Sequence, residues 1–127
     1  MDNKIVIHTN IYSSKNSRTF TRLKNGMTIL AKPSRIRKME KELDIVLKAY
    51  KDVWMRMIEN KKYPLRVGFY IYRGDRRRWD WQNIIQGLAD ALVRNKYIED
   101  DNASMFTPVY MGWDIDKDDP RAEIHVL

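Results

Sequence analysis

The spacing of apolar residues changes several times along the chain, and each change marks an element. In residues 4–9, Ile5 and Ile7 fall on one side and Lys4, Val6 and His8 on the other, the two-residue period of a strand. Residues 10–17 are polar and turn-rich and read as an exposed loop. Residues 19–23 and 27–31 flank Lys24-Asn25-Gly26; Asn and Gly both tolerate positive φ, so these segments predict a small hairpin near a sheet edge. Beyond Pro33 the period lengthens. Ile36, Met39, Leu43, Val46, Leu47, Tyr50, Val53, Trp54, Met57 and Ile58 recur at helical spacing, which predicts one long amphipathic helix capped by Ser34 and ended by residues 60–64.

Residues 65–73 alternate again, with Leu65, Val67, Phe69 and Ile71 on one face. Residues 84–95 then place Ile84, Ile85, Leu88, Ala91 and Leu92 on one face of a shorter helix, opposite Asn83, Gln86, Gly87, Asp90 and Arg94. Residues 105–115 read as a strand in which Pro108 favours an edge or a bulge. Residues 116–120 form a turn, and Ala122, Ile124 and Val126 alternate in a last strand. Trp113 is expected in the core or on a dimer surface, and His8 and His125 as ordinary polar residues of the sheet. Together these elements predict an α/β fold: a single domain over residues 1–127, in two layers, with a small mixed β-sheet and one long and one shorter helix packed on it.

Composition narrows the class. The four Trp, seven Tyr and three Phe supply enough large apolar side chains for a packed core, whereas 32% charged residues and a mean hydropathy of −0.63 call for a water-facing surface. With no cysteine, disulfide frameworks and Cys-based zinc or thiol chemistry are excluded. No window approaches the roughly 18 apolar residues of a membrane span, and the first residues lack a secretory pattern, so the cytoplasm is the expected location.

Charge adds more than its total of +7 suggests. Residues 1–78 hold 20 Lys/Arg against 7 Asp/Glu, and residues 79–127 hold 4 against 10, so the halves carry +13 and −6. A basic surface beside an acidic site suits a protein that holds phosphates and also binds divalent ions. The border between the halves is Arg76-Arg77-Arg78, followed by Trp79-Asp80-Trp81-Gln82-Asn83. Guanidinium forks match phosphate oxygens. An acidic turn, Glu99-Asp100-Asp101-Asn102, follows the shorter helix; if that helix folds back on the preceding strand, Asp80 and Asp101 approach each other. A carboxylate pair can share a divalent cation, although acidic turns are also common without one.

The run DRRRWDWQNIIQGLADALVRNKYIEDDN resembles the RusA family of Holliday junction resolvases, small phage and prophage endonucleases. Its arginine-rich loop, Asp-x-x-Asn step, Asp-Ala-Leu segment and aromatic-then-Asp-Asp ending follow the family order without a gap over roughly 28 residues. The resemblance extends more loosely to the whole chain, including a polar loop with Lys15 and Arg18. It implies a crossover junction endodeoxyribonuclease, acting in DNA recombination and repair in a bacterial cytoplasm, dependent on Mg²⁺ or Mn²⁺, working as a homodimer on four-way or other branched DNA. It also implies site residues. Asp80 and Asp101 take metal-binding positions, with Asp100 or Asp90 completing the set, while Arg76, Arg77, Arg78, Lys15, Arg18 and Asn83 engage DNA.

Two positions depart from the family pattern. Gln82 stands where that pattern has its middle Asp, and Gln86 where it often has a catalytic Lys. Trp79 likewise replaces an arginine of the loop. An amide can offer a metal one neutral oxygen but removes a charge, and loss of the Lys removes a cation beside the scissile phosphate. Two readings therefore stand: an endonuclease whose catalytic set is Asp80, Asp101, Gln82 and Gln86, or a catalytically weakened or inactive branched-DNA-binding protein of the same fold.

Overall fold

The computed structural model describes residues 4–13 and 19–127. Four strands form one mixed sheet: β1 (Lys4–Ile7), β4 (Leu65–Arg73), β5 (Phe106–Ile115) and β6 (Arg121–Val126), in the order β1-β6-β4-β5. The β4–β5 pair is parallel and the other pairs are antiparallel. Parallel neighbours need a crossover, and α3 (Trp81–Arg94) supplies it, so α3 begins beside the carboxyl end of β4. Ligand sites of open α/β sheets gather at that end of the strands.

The alternating patterns place the core as expected. Ile5, Ile7, Val67, Phe69, Ile71, Ala122, Ile124 and Val126 project from the sheet onto one face and are buried, against Ile84, Leu88, Ala91 and Leu92 of α3. The opposite face carries the half-exposed Tyr70, Tyr72, Glu123 and His125. Pro108 lies on the edge strand β5, as its missing N–H requires. The register slips opposite Phe69 and Tyr70, where Gly112 has φ +132° and a Cβ would lie 2.8 Å from the Tyr70 ring.

Four expectations change. The hairpin forms, as β2 (Thr19–Arg22) and β3 (Thr28–Ala31) with Gly26 at φ 86°, but it makes a separate two-stranded sheet. The long helix is two helices, α1 (Ser34–Ala49) and α2 (Lys51–Ile58), meeting at Tyr50 with φ −101° and ψ 15°. The redirected α2 buries Trp54 completely, and its indole N–H donates to the Tyr97 carbonyl at 2.9 Å. Pro33, not Ser34, is the N-cap of α1, and no side chain caps it. Finally, α3 starts earlier than the apolar period indicates, because Asp80 caps it. His8 is exposed after β1 with Nδ1 2.9 Å from Asp119, and His125 is half-buried 3.3 Å from Glu123.

Candidate active site

The amino-terminal half of α3 is surrounded by three cavities that share walls. The first, about 280 Å³, lies between the loop after β1, the start of α1 and the start of α3; Arg35, Arg73, Arg77, Arg78, Asp80 and Asn83 face it. The second, about 310 Å³, is formed by Arg76, Arg77 and Arg78 with Trp79, Trp81, Tyr110 and Trp113. The third, about 350 Å³, holds Gln82, Gln86 and Asp101 against Trp81, Phe106 and Pro108. Arg77, Arg78 and Trp79 join the first to the second, and Trp81 joins the second to the third. A compartment facing four arginines, one lined by arginines and aromatic rings, and one holding the Asp101 carboxylate beside two glutamine amides thus follow one another around the helix start.

Asp80 owes its position to capping chemistry. Its Oδ1 accepts from the backbone N–H of Gln82 at 2.9 Å and of Asn83 at 3.4 Å, so one oxygen meets two of the donors a helix start leaves unpaired. A negative charge there also complements the helix dipole. Asp75 orders the preceding loop in a similar way by accepting from the Arg77 N–H at 2.9 Å. That turn leaves Arg76, Arg77 and Arg78 exposed in succession.

The third cavity is organised by Gln86. Its side-chain amide donates to Asp90 Oδ1 at 2.9 Å and to Asp101 Oδ2 at 3.2 Å, linking a carboxylate one turn along α3 with one from the turn beyond the helix. Asp100 is turned to its own loop. Its oxygens accept from the Asp101 N–H at 2.9 Å and the Asn102 amide at 3.0 Å, and the Asn102 bond first, then the Asp101 N–H, holds its carboxyl below the usual carboxylate value. The structure therefore groups Gln82, Gln86, Asp90 and Asp101 on one flank of α3, and Asp80, Asn83, Arg77 and Arg78 at its tip. Asp80 and Asp101 line different compartments, and among the described residues no three His, Cys, Asp or Glu converge as a metal-holding group. On the flank of α3 the Asp90 and Asp101 carboxylates share the Gln86 amide, and Asp80 stands apart from them in the first cavity, so the described residues bring together no complete metal donor set in this structure. Lys15 and Arg18 lie outside the described residues.

Several lining residues escape a reading of the sequence. Trp113 is not in the core: it is 45% exposed and packs edge-on against Trp79 at 5.4 Å, as Tyr110 does against Trp81. The indole N–H of Trp81 is buried without a partner among the described residues. Arg73 is buried at the end of β4. A signal for it exists, because Arg73 follows Leu65, Val67, Phe69 and Ile71 in phase, an arginine on the apolar face of a strand. Tyr12 and Arg35 join the first cavity through a cation–π contact of 5.5 Å that only the fold creates.

No curated protein matches the chain. A family model, by contrast, spans all but the first residue: residues 2–127 match the model of endodeoxyribonuclease RusA, and the chain belongs to that family.

Proposed function

We propose that the protein is a divalent-metal-dependent endodeoxyribonuclease that resolves four-way or otherwise branched DNA by paired phosphodiester hydrolysis. The observation that carries this reading is the succession of compartments around α3, one rich in arginine, one in aromatic rings and one with the Asp101 carboxylate beside two amides, in a chain of an endonuclease family. Arg76, Arg77 and Arg78 hold the sugar–phosphate backbone, with Asn83 beside them. Asp80 and Asp101 hold the ion once substrate binding draws the two cavities they line together, Asp90 or Asp100 adds charge, and Gln82 contributes a neutral oxygen. A divalent ion bound there supplies charge neutralisation at the phosphodiester and acidifies water. Gln86 keeps the Asp101 carboxylate oriented by its amide bond. The whole chain acts as one nuclease domain, as a homodimer whose two sites make the paired cuts. Its setting is a bacterial cytoplasm, encoded by a phage or prophage, and Mg²⁺ or Mn²⁺ is the ion.

A specific observation favours a second reading, branched-DNA binding with weak or no turnover. The amide of Gln86, a neutral donor, occupies both Asp90 and Asp101 and so competes with a cation for their oxygens. Incubation with labelled four-way junction, linear duplex and RNA, in Mg²⁺, Mn²⁺ or EDTA, separates the two. Symmetric junction cuts that disappear in EDTA and in Asp101→Asn establish the nuclease, whereas tight binding without products establishes the second reading. Equal affinity for junction, duplex and RNA would sink both.

A further inference from the structure

Arg73 is the single buried charged residue among those described, with 6% of its surface exposed. Its Nη1 donates to the Ile11 carbonyl at 3.0 Å, and its guanidinium lies 5.0 Å above the Trp79 ring. On the other edge of the fork, Nε and Nη2, no hydrogen bond forms among the described residues. Nε has no partner among the described residues, and the Asp75 carboxylate reaches Nη2 only at 4.0 Å, with the same oxygen already accepting from the Arg77 N–H. A buried cation is costly unless it is paired and hydrogen-bonded, and an unmet buried donor adds to that cost. The Nε–Nη2 edge is the one that grips a two-oxygen anion side-on.

The cavity it faces deepens the mismatch. Arg35, Arg73, Arg77 and Arg78 bring four positive charges to about 280 Å³, against the two carboxylates of Asp75 and Asp80. The start of α3 opens into the same space and adds the positive end of its dipole. With four guanidiniums against two carboxylates, the cavity carries a net positive charge that favours an anion with two adjacent oxygens.

We infer that this cavity is a phosphodiester subsite, in which a small shift of the buried Arg73 side chain brings its Nε–Nη2 edge onto one backbone phosphate and thereby fixes the register of a DNA strand against Asp80. Arg73 is a positioning residue, separate from the exposed arginines that meet the backbone first. The inference rests on the proposed action on DNA; a free phosphate ion shares the chemistry, and the two sources need separate tests.

Side-chain Nε–Hε resonances of arginine can be followed in the intact protein, with the Arg73 signal assigned through bonds from its own backbone amide in the wild-type protein. The wild-type protein is titrated in EDTA with inorganic phosphate, linear duplex and four-way junction. The Arg73 resonance should shift with junction and duplex. In parallel, Arg73→Met should weaken junction binding about tenfold and lower the slope of log affinity against log salt by about one. Arg73→Lys should recover the slope but only part of the affinity, since a lysine lacks the fork. Circular dichroism and the melting temperature verify folding of both variants; if neither folds, the wild-type titration still decides. An unmoved Arg73 resonance on DNA addition, or wild-type affinity and slope in folded Arg73→Met, overturns the subsite. A shift with inorganic phosphate alone also overturns it and leaves a free-anion site. If the wild-type protein binds no DNA, the nuclease reading fails as well, a result distinct from DNA binding that bypasses Arg73.

Discussion

The two ends of α3 are built in opposite ways. At the carboxyl end, the backbone N–H of Tyr97 donates to Leu92 at 2.8 Å and that of Lys96 to Val93 at 3.0 Å, the paired bonds of a Schellman stop. Lys51 donates to the Asn95 and Lys96 carbonyls at 3.0 and 2.6 Å, and Arg94 forks onto Asp44 at 2.7 and 2.9 Å. The Tyr97 ring lies 4.9 Å from that of Trp54, and burial pushes its hydroxyl well above the usual phenol value. At the amino end, one oxygen of Asp80 serves two N–H groups, while Arg73 and Trp81 keep donors without partners among the described residues. One end is closed by tertiary bonds, and the other carries polar demand that a ligand can meet. The satisfied end clamps the helix so that the unsatisfied end is held in a fixed place.

That contrast can be broken most forcefully at the clamp. Trp54→Ala should cost roughly 3–5 kcal/mol, because it empties a fully buried site and strands the Tyr97 carbonyl, and urea unfolding would measure it. Junction affinity per folded molecule should hold; a large fall there would mean that the two ends are not separable. At the open end, Asp80→Ser keeps a capping oxygen but loses the charge. Cleavage should drop on the order of a hundredfold with stability close to wild type, whereas Asp80→Ala should also lose about 1 kcal/mol of cap energy. Equal loss of stability in both variants would show that the cap is not what fixes Asp80.

A smaller effect sharpens the comparison from the clamp side. Lys96 sits at φ 61°, the left-handed position after the helix where glycine is at ease, so Lys96→Gly should raise stability by roughly 0.5–1 kcal/mol and leave cleavage unchanged. The least effect is expected at Asp44. Burial alone would raise its pKa, but the Arg94 and Asn95 hydrogen bonds and the Arg94 charge outweigh it, and the pKa lies below the ordinary 3.8. Its contribution is then fully present above that value and is lost as pH falls through the depressed folded pKa. Asp44→Asn should flatten the stability profile below about pH 4 and cost less than about 1 kcal/mol at neutral pH, since Arg94 is partly exposed. Thermal melts across pH 2–7 in both proteins would test the sign.

Much of this molecule is legible in its order of residues, for identifiable reasons. Alternation in residues 65–73 and 121–126 reports burial on one face, so the strands and their core sides follow directly. Asn25-Gly26 encodes its turn locally. The break at Tyr50 carries no Pro or Gly to announce it, and the seat of Trp54 against Tyr97 just beyond it joins residues far apart in the chain. The helix start at Asp80 was masked by Trp81, Gln82 and Asn83, whose mixed character hides a period that begins with a cap.

The candidate site divides in the same way. Sequence by itself determined its ingredients: the arginine loop, Asp80, Gln82 and Gln86, the acidic turn and the family to which the chain belongs, since these are carried by residue type and spacing. Only the tertiary structure decided how they combine. The parallel crossover brought the start of α3 to the carboxyl end of β4, set Gln86 between Asp90 and Asp101, and buried Arg73 with one edge of its guanidinium unmet. Desolvation and pairing depend on neighbours far apart in the chain, so the demand for an anion arises only once the fold has closed around the arginine.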